Sequence, residues 1–361
     1  MKKFTFTLIA IASIIIIACS SSDSDASDQG FNVKNFLDNA VNLNIKPALN
    51  TFNLETSNLE QSISTYTNNP TVANLELARQ QWKTTAINYE KTYVYHIGLA
   101  RTQFLHNSIY NWPTVEGAIE YFISDNDSID ATFMATISSQ AKSLAAIEYL
   151  LFAENAATIN SGFMNSEKRR DYLRLSSIYL KTRADKLQNV WATSGEDYGT
   201  TFINNSGSGI QGSFNLYYNG IHNALDVTKS TKVGKPAGLE NSQVINPELT
   251  QAYFSDTSKA LVRVSIESVE TAYFNTAGLG IDDYVFSITN NQDLNDAILN
   301  KINEIYAALN AMSLPLDEAV NQSNAQVEVL HTKIEDLRIL FAVDVRSVLS
   351  IIITTTDTDG D

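Results

Sequence analysis

The sequence predicts an all-α fold, built as two helical-bundle domains packed together. Three observations predict it. Only six prolines and fifteen glycines interrupt 361 residues, so long uninterrupted segments are available. Within those segments apolar residues recur every three or four positions, the period of one helix face. Strand-like alternation is confined to two short runs, Tyr284 to Thr289 and Ser350 to Thr356.

The elements follow in order. Phe31 to Tyr66 reads as a helix with a possible kink at Pro47, where a backbone donor is missing. Asn68-Asn69-Pro70-Thr71 supplies a turn and a cap, and Val72 to Ile97 is the next helix, closed by Gly98. Asn111-Trp112-Pro113-Thr114 is a loop that starts a short helix. Helices are expected over Asp130 to Ala153, Ser166 to Thr193 and Gly212 to Thr228, and Lys232 to Pro247 looks irregular. Asp256 to Asn275, Asp293 to Met312 and Ser323 to Leu349 are strongly periodic. In the last, Val327, Leu330, Ile334, Leu337 and Phe341 form one apolar stripe. The Gly, Ser and Asn-rich stretch from Gly195 to Gly212 divides the chain, giving bundles over 31–204 and 205–361.

The N-terminus is a targeting segment, not part of the fold. Lys2 and Lys3 precede an apolar run from Phe4 to Ala18, too short and wrongly flanked for a membrane span. Residues 1–18 are therefore expected to be a signal peptide. Ile16-Ile17-Ala18-Cys19 places a small residue before the only cysteine of the chain, the arrangement in which Cys19 is lipidated and becomes the mature N-terminus. One cysteine excludes internal disulfides. Residues 19–30 are Ser and Asp-rich and read as a flexible tether. Ser20 after the cysteine favours the bacterial outer membrane, facing the periplasm or the cell surface, with the lipid anchor holding the protein to the membrane.

The formal net charge is −15; loss of Lys2 and Lys3, with no acid among residues 1–18, takes the mature chain to −17. Such a field repels nucleic acid, which is not expected as a partner. It is compatible with a metal or another cation.

The stretch Leu144 to Phe152, Leu-Ala-Ala-Ile-Glu-Tyr-Leu-Leu-Phe, carries one charged residue in an apolar run. If helical, it surrounds the Glu148 carboxylate with Leu144, Ala145, Leu151 and Phe152, three and four positions away. A charge held there is costly unless paired, hydrogen-bonded or bound to a metal. Glu148 is therefore either a metal ligand or hydrogen-bond acceptor in a pocket, or a structural carboxylate paired with an Arg or a Tyr hydroxyl.

Several blocks resemble the imelysin family. The helix Ala78 to Gly98, Ala-Arg-Gln-Gln-Trp-Lys-Thr-Thr-Ala-Ile-Asn-Tyr-Glu-Lys-Thr-Tyr-Val-Tyr-His-Ile-Gly, is similar to the first signature of that family, as is Asn111-Trp112-Pro113. Ser143 to Phe152 resembles its Gly-x-His-x-x-Glu motif and apolar continuation. Lys232-Val233-Gly234-Lys235-Pro236, Phe254-Ser255-Asp256-Thr257-Ser258 and the ending Asp357-Thr358-Asp359-Gly360-Asp361 fit further blocks in the expected order. The resemblance implies two helical bundles with a site between them. It also implies a bacterial envelope protein linked to iron acquisition. The family is named as a metallopeptidase, with the motif His and Glu proposed as metal ligands, and a related domain occurs in a periplasmic component of ferrous-iron uptake.

This chain departs from the motif at its centre. The motif glycine is Ser143, the histidine is Ala145, and Glu148 alone remains. A His and a Glu three positions apart present an imidazole and a carboxylate to one ion, and Ala145 offers no donor. A catalytic zinc takes three protein ligands, and no His-Glu-x-x-His pattern occurs in the chain. A family position usually acidic, on the helix ending at Gly98, aligns with Tyr93. The expected pocket thus comprises Ser143, Ala145, Glu148, Tyr93, Trp112, Ser255 and Asp256, with Glu148 as the one candidate metal ligand and no catalytic residue.

Other features carry less. The histidines are His96, His106, His222 and His331; His96 or His222 could approach Glu148 in space. Glu328 and His331 form one Glu-x-x-His unit with Glu335 one turn on, where a di-iron bundle needs two units, so a solvated face with a His331–Glu335 contact is expected. Gly207-Ser208-Gly209-Ile210-Gln211-Gly212 matches a dinucleotide fingerprint without the strand that must precede it. Asp256 or Ser255 is expected to cap the following helix. The acidic ending stops short of the glutamate that completes a calcium loop.

The expected function is non-catalytic binding in iron or metal acquisition, at a divergent site around Glu148. The cofactor is iron, another divalent metal or none. The alternatives are a metallopeptidase recruiting replacement ligands from His96 or His222, and a cell-surface interaction protein without metal that engages an envelope protein partner.

Overall fold

The computed structural model describes residues 30–354, apart from 127 and 323. The signal, Cys19 and nearly all of the tether lie outside the described residues, as does the acidic ending from 355 to 361. Every regular element described is helical, as the composition and periodicity predict.

The first helical stretch begins at Val33, capped by Asn32, whose side chain accepts from the Asn35 amide at 2.9 Å. It widens to π geometry over Ala40–Ile45 and continues as α1, Lys46–Asn68. Pro47 lies within this continuous helical stretch and lacks a donor to the preceding turn, and the π widening falls just before it. Thr71 caps α2, Val72–Tyr93, through the Asn74 amide. α2 ends at Tyr93 and not at Ile97. Gly98 lies beyond a turn at φ +52, and a Cβ there would meet the Tyr198 hydroxyl at 1.8 Å. Glycine is required by both conformation and space.

The helix expected over Asp130 to Ala153 is three pieces: Ala131–Thr136, a 3-10 turn at Ser139–Ala141, and α3, Leu144–Phe152. The chain is extended at Ile137, Ser138 and Ser143. Tertiary hydrogen bonds replace helical ones at these breaks, with Lys142 Nζ donating to the Met134 carbonyl at 2.5 Å and Tyr172 Oη to the Ala141 carbonyl at 2.6 Å.

α4, Glu167–Trp191, packs on α1, whose other side packs on α2. A glycine-bearing loop over 205–212 follows the short helix Tyr198–Asn204, so no strand leads into it. α5, Ser213–Val227, continues as a π segment, Thr228–Gly234. Lys232, expected in irregular chain, is thus helical and buried. α6, Ser258–Phe274, packs on both α2 and α5. Tyr284 to Thr289, read as β-like, belongs to α7, Ile281–Thr289, in which β-branched residues follow an acidic first turn. Within 350–354 there is no regular structure, although Ile352 and Thr354 bond to the Asn215 and Asn219 side chains. α8, Asp293–Ala311, and α9, Asn324–Ile339, form an antiparallel pair, and the expected stripe Val327, Leu330, Ile334, Leu337 and Phe341 is fully buried. No described helix is long and apolar enough to cross a membrane.

Candidate functional site

α3 carries Glu148 and is held at both ends by α2. Trp82 Nε1 donates to the Leu144 carbonyl at 2.9 Å, and Arg79 Nε and Nη2 donate to the Leu151 and Glu154 carbonyls at 2.7 and 3.0 Å. A guanidinium at a helix C-terminus satisfies orphan carbonyls and complements the helix dipole. The Ser143 hydroxyl accepts from the Asn111 amide at 3.2 Å.

Glu148 is 3% exposed. Its partner is neither an Arg nor a Tyr hydroxyl. The Ser255 backbone N–H donates to Oε1 at 2.9 Å, and the Ser255 hydroxyl and the Phe254 amide add to it. Burial nevertheless dominates and pushes the carboxyl up to about 8. The segment that delivers these donors is a turn with Ala252 at φ +59 and Asp256 at φ +54. Left-handed backbone at residues bearing a Cβ is strained, and such strain collects at functional turns. Asp256 is exposed, and α6 takes Thr257 as its N-cap with no side-chain cap bond, so neither Ser255 nor Asp256 caps it. Ser255 is occupied by Glu148 instead.

A cavity of about 170 Å³ opens onto Glu148. Ala145 lies in its wall, as do Trp112, Tyr253 and Phe254, and Glu116 and Glu248 stand at its mouth. Trp112 also lines a second cavity of about 350 Å³, with Tyr93, His96, Arg101, Phe104 and His106. The first cavity has three carboxylates and no basic side chain in its lining; the second has two imidazoles and a guanidinium and no acid. Of the expected pocket, the structure brings Ala145, Glu148 and Trp112 to one cavity. It places Ser255 on the Glu148 carboxylate, Tyr93 in the second cavity, Ser143 on the Asn111 amide, and Asp256 on the exposed side of the turn.

Neither His96 nor His222 lines the Glu148 cavity. His96 and His106 lie with ring centroids 5.1 Å apart in the second cavity, and His106 Nδ1 meets the Tyr89 hydroxyl. Burial, with His96 and Lys232 nearby, lowers the His106 pKa well below the ordinary imidazole value, so the ring is neutral at physiological pH. Among the described residues no group of three or more His, Cys, Asp or Glu side chains is placed to hold a metal ion. A lone carboxyl that burial keeps largely protonated at neutral pH does not fit a resident ion, which requires three or four deprotonated donors.

The buried acid of α2 is Glu90, one turn before Tyr93. It pairs with Lys232, both side chains 1% exposed. Ser265 Oγ donates to Glu90 Oε1 at 2.7 Å, Gln251 Nε2 donates to Oε2 at 3.4 Å, and Lys232 Nζ lies 5.4 Å from the Tyr93 ring centroid. Burial lowers the Lys232 pKa against the opposing pull of Glu90. The pair joins α2 to the π segment and α6. Its sequence signal was a single acid among Ala86, Tyr89 and Tyr93 on an otherwise apolar face. His331 bonds Glu240 at 2.9 Å and Glu335 pairs with Arg338, so the expected His331–Glu335 contact is replaced by two others.

Residues 45–342 match the family model described as Imelysin. The chain belongs to the imelysin family. A stretch of 141 residues is 28% identical to iron-regulated protein A of Synechococcus elongatus, covering 37% of this chain and 33% of that protein. The match thus spans about a third of the curated relative. Two solved structures share the fold. One is described as an iron-regulated protein A precursor from Parabacteroides distasonis, with TM-score 0.72 at 17% identity, over 89% of this chain and 97% of that one. The other is an imelysin-like protein from Psychrobacter arcticum, with TM-score 0.74 at 17% identity, over 90% and 97%.

Proposed function

We propose that this imelysin-family chain is a non-catalytic binding protein in iron or metal acquisition. It is anchored to the bacterial outer membrane through Cys19, with bundles over 31–204 and 205–361 flanking the site. The observation that carries the reading is Ala145 in the wall of the Glu148 cavity, where the family motif has an imidazole. Peptide hydrolysis by a metal needs an activated water on a firmly held ion, and the donors around Glu148 do not supply that hold. The relatives named as iron-regulated protein A support the iron connection. The ligand this favours is a preformed metal complex, recognised through its outer groups, and not a bare ion.

The test is a calorimetric titration of the mature protein with ferrous ion, a cationic ferric hydroxamate complex and zinc. The cationic complex is expected to bind and Glu148→Gln to weaken it. Tight zinc or ferrous binding with protein donors, or chelator-sensitive peptide cleavage lost in Glu148→Gln, would overturn the reading. Cys19→Ala is expected to move the protein from the membrane fraction to the soluble one.

A further inference from the structure

We infer that the Glu148 cavity binds an organic cation, an ammonium or guanidinium group carried on a small apolar body. The inference takes from the proposal above only the position of the ligand pocket and does not depend on iron. Four observations carry it. The charge lining is acidic throughout, with Glu148 deep and Glu116 and Glu248 at the mouth. Glu248 disfavours the charged form of Glu116, second only to burial, and a cation beside them would relieve it. Trp112, Tyr253 and Phe254 bring aromatic rings to the same space, and ring faces attract cations.

The fourth observation is Thr250. It lines the cavity and is 2% exposed, and its Oγ1 has no hydrogen-bond partner in the protein. A buried hydroxyl without a partner is costly, and a ligand N–H would satisfy it. An ammonium or guanidinium offers several N–H donors, enough for a carboxylate and a hydroxyl together. Ala145 contributes room, since a methyl group stands where an imidazole would fill the cavity. A metal ion is the poorer occupant, because these carboxylates are not grouped as ligands. Lys83 acts on Glu148 from outside and does not line the cavity.

The test compares benzylamine, benzyl alcohol and benzoate, alike in shape and different in charge, by titration calorimetry of the mature protein. At about pH 8.5 the Glu148 carboxyl is mostly ionised. Benzylamine is expected to bind, benzyl alcohol roughly tenfold more weakly and benzoate not at all. Glu148→Gln is expected to weaken benzylamine roughly tenfold or more and Thr250→Val a few-fold. Arg101→Met in the neighbouring cavity should leave it unchanged. Equal affinity for the amine and the alcohol, or preference for benzoate, overturns the inference on the unmodified protein, whatever the variants do. The cationic ferric complex titrated in the same samples separates the two ideas: its failure with benzylamine bound refutes iron and spares this site, and the reverse result refutes this site alone.

Discussion

Glu148 shows how one carboxyl sets a pH response. Its ordinary value is 4.5 and its folded value about 8. Between those values the folded protein keeps a proton that the unfolded chain has lost. Stability contributed by this group is therefore complete below the lower value and falls as pH rises through the window, by a few kcal/mol in all. Glu148→Gln should flatten that fall. Urea unfolding of both proteins at about pH 5 and about pH 8.5 checks it, with the variant gaining on the parent only at the higher pH. The Glu90–Lys232 pair behaves differently, because each member compensates the other. Glu90→Gln strands a buried ammonium and should cost about 3–5 kcal/mol, while adding Lys232→Met should recover much of that loss. Denaturant midpoints of the two single variants and the double variant decide the matter. A double-variant loss equal to the sum of the two single losses would show that the pair is not coupled.

At the scale of the element, α3 is short and apolar, and α2 fixes where it sits. Trp82→Phe keeps most of the ring packing and removes the donor to the Leu144 carbonyl. The expected loss is about 1–3 kcal/mol, read as a lowered denaturant midpoint with an unchanged slope. Gly98→Ala should cost at least as much, through its left-handed backbone and its collision with Tyr198. The helices themselves were legible because apolar spacing records which face is buried, as in the Val327 to Phe341 stripe. Their interruptions were not. Nothing local tells that Ser143 is extended, since the bonds that replace helical ones come from Tyr172 and Asn111, far along the chain. The Ala145 substitution could be seen directly. The Thr250 to Asp256 turn could not, because alanine at positive φ leaves no signature in a sequence, and only the fold forces it there. Glu90 and Lys232 lie 142 positions apart, and no local pattern links them.

For the whole molecule, the predicted absence of a tightly held ion has a simple consequence. Treatment with a strong chelator should leave the thermal midpoint unchanged, because removing an ion lowers stability only where the folded state bound it. A chelator-induced drop, reversed by one particular metal, would reveal ligands that the described residues do not show. The mature charge of −17 expected from the sequence bears on encounter more than on stability, and cationic ligands should associate faster at low salt. Finally, Trp112 lines both cavities, one bearing carboxylates and the other the Arg101 guanidinium. A zwitterion long enough to touch both chambers would meet opposite fields at its two ends. One alignment would be favoured and its reverse repelled, giving the two cavities a sense of direction along such a molecule.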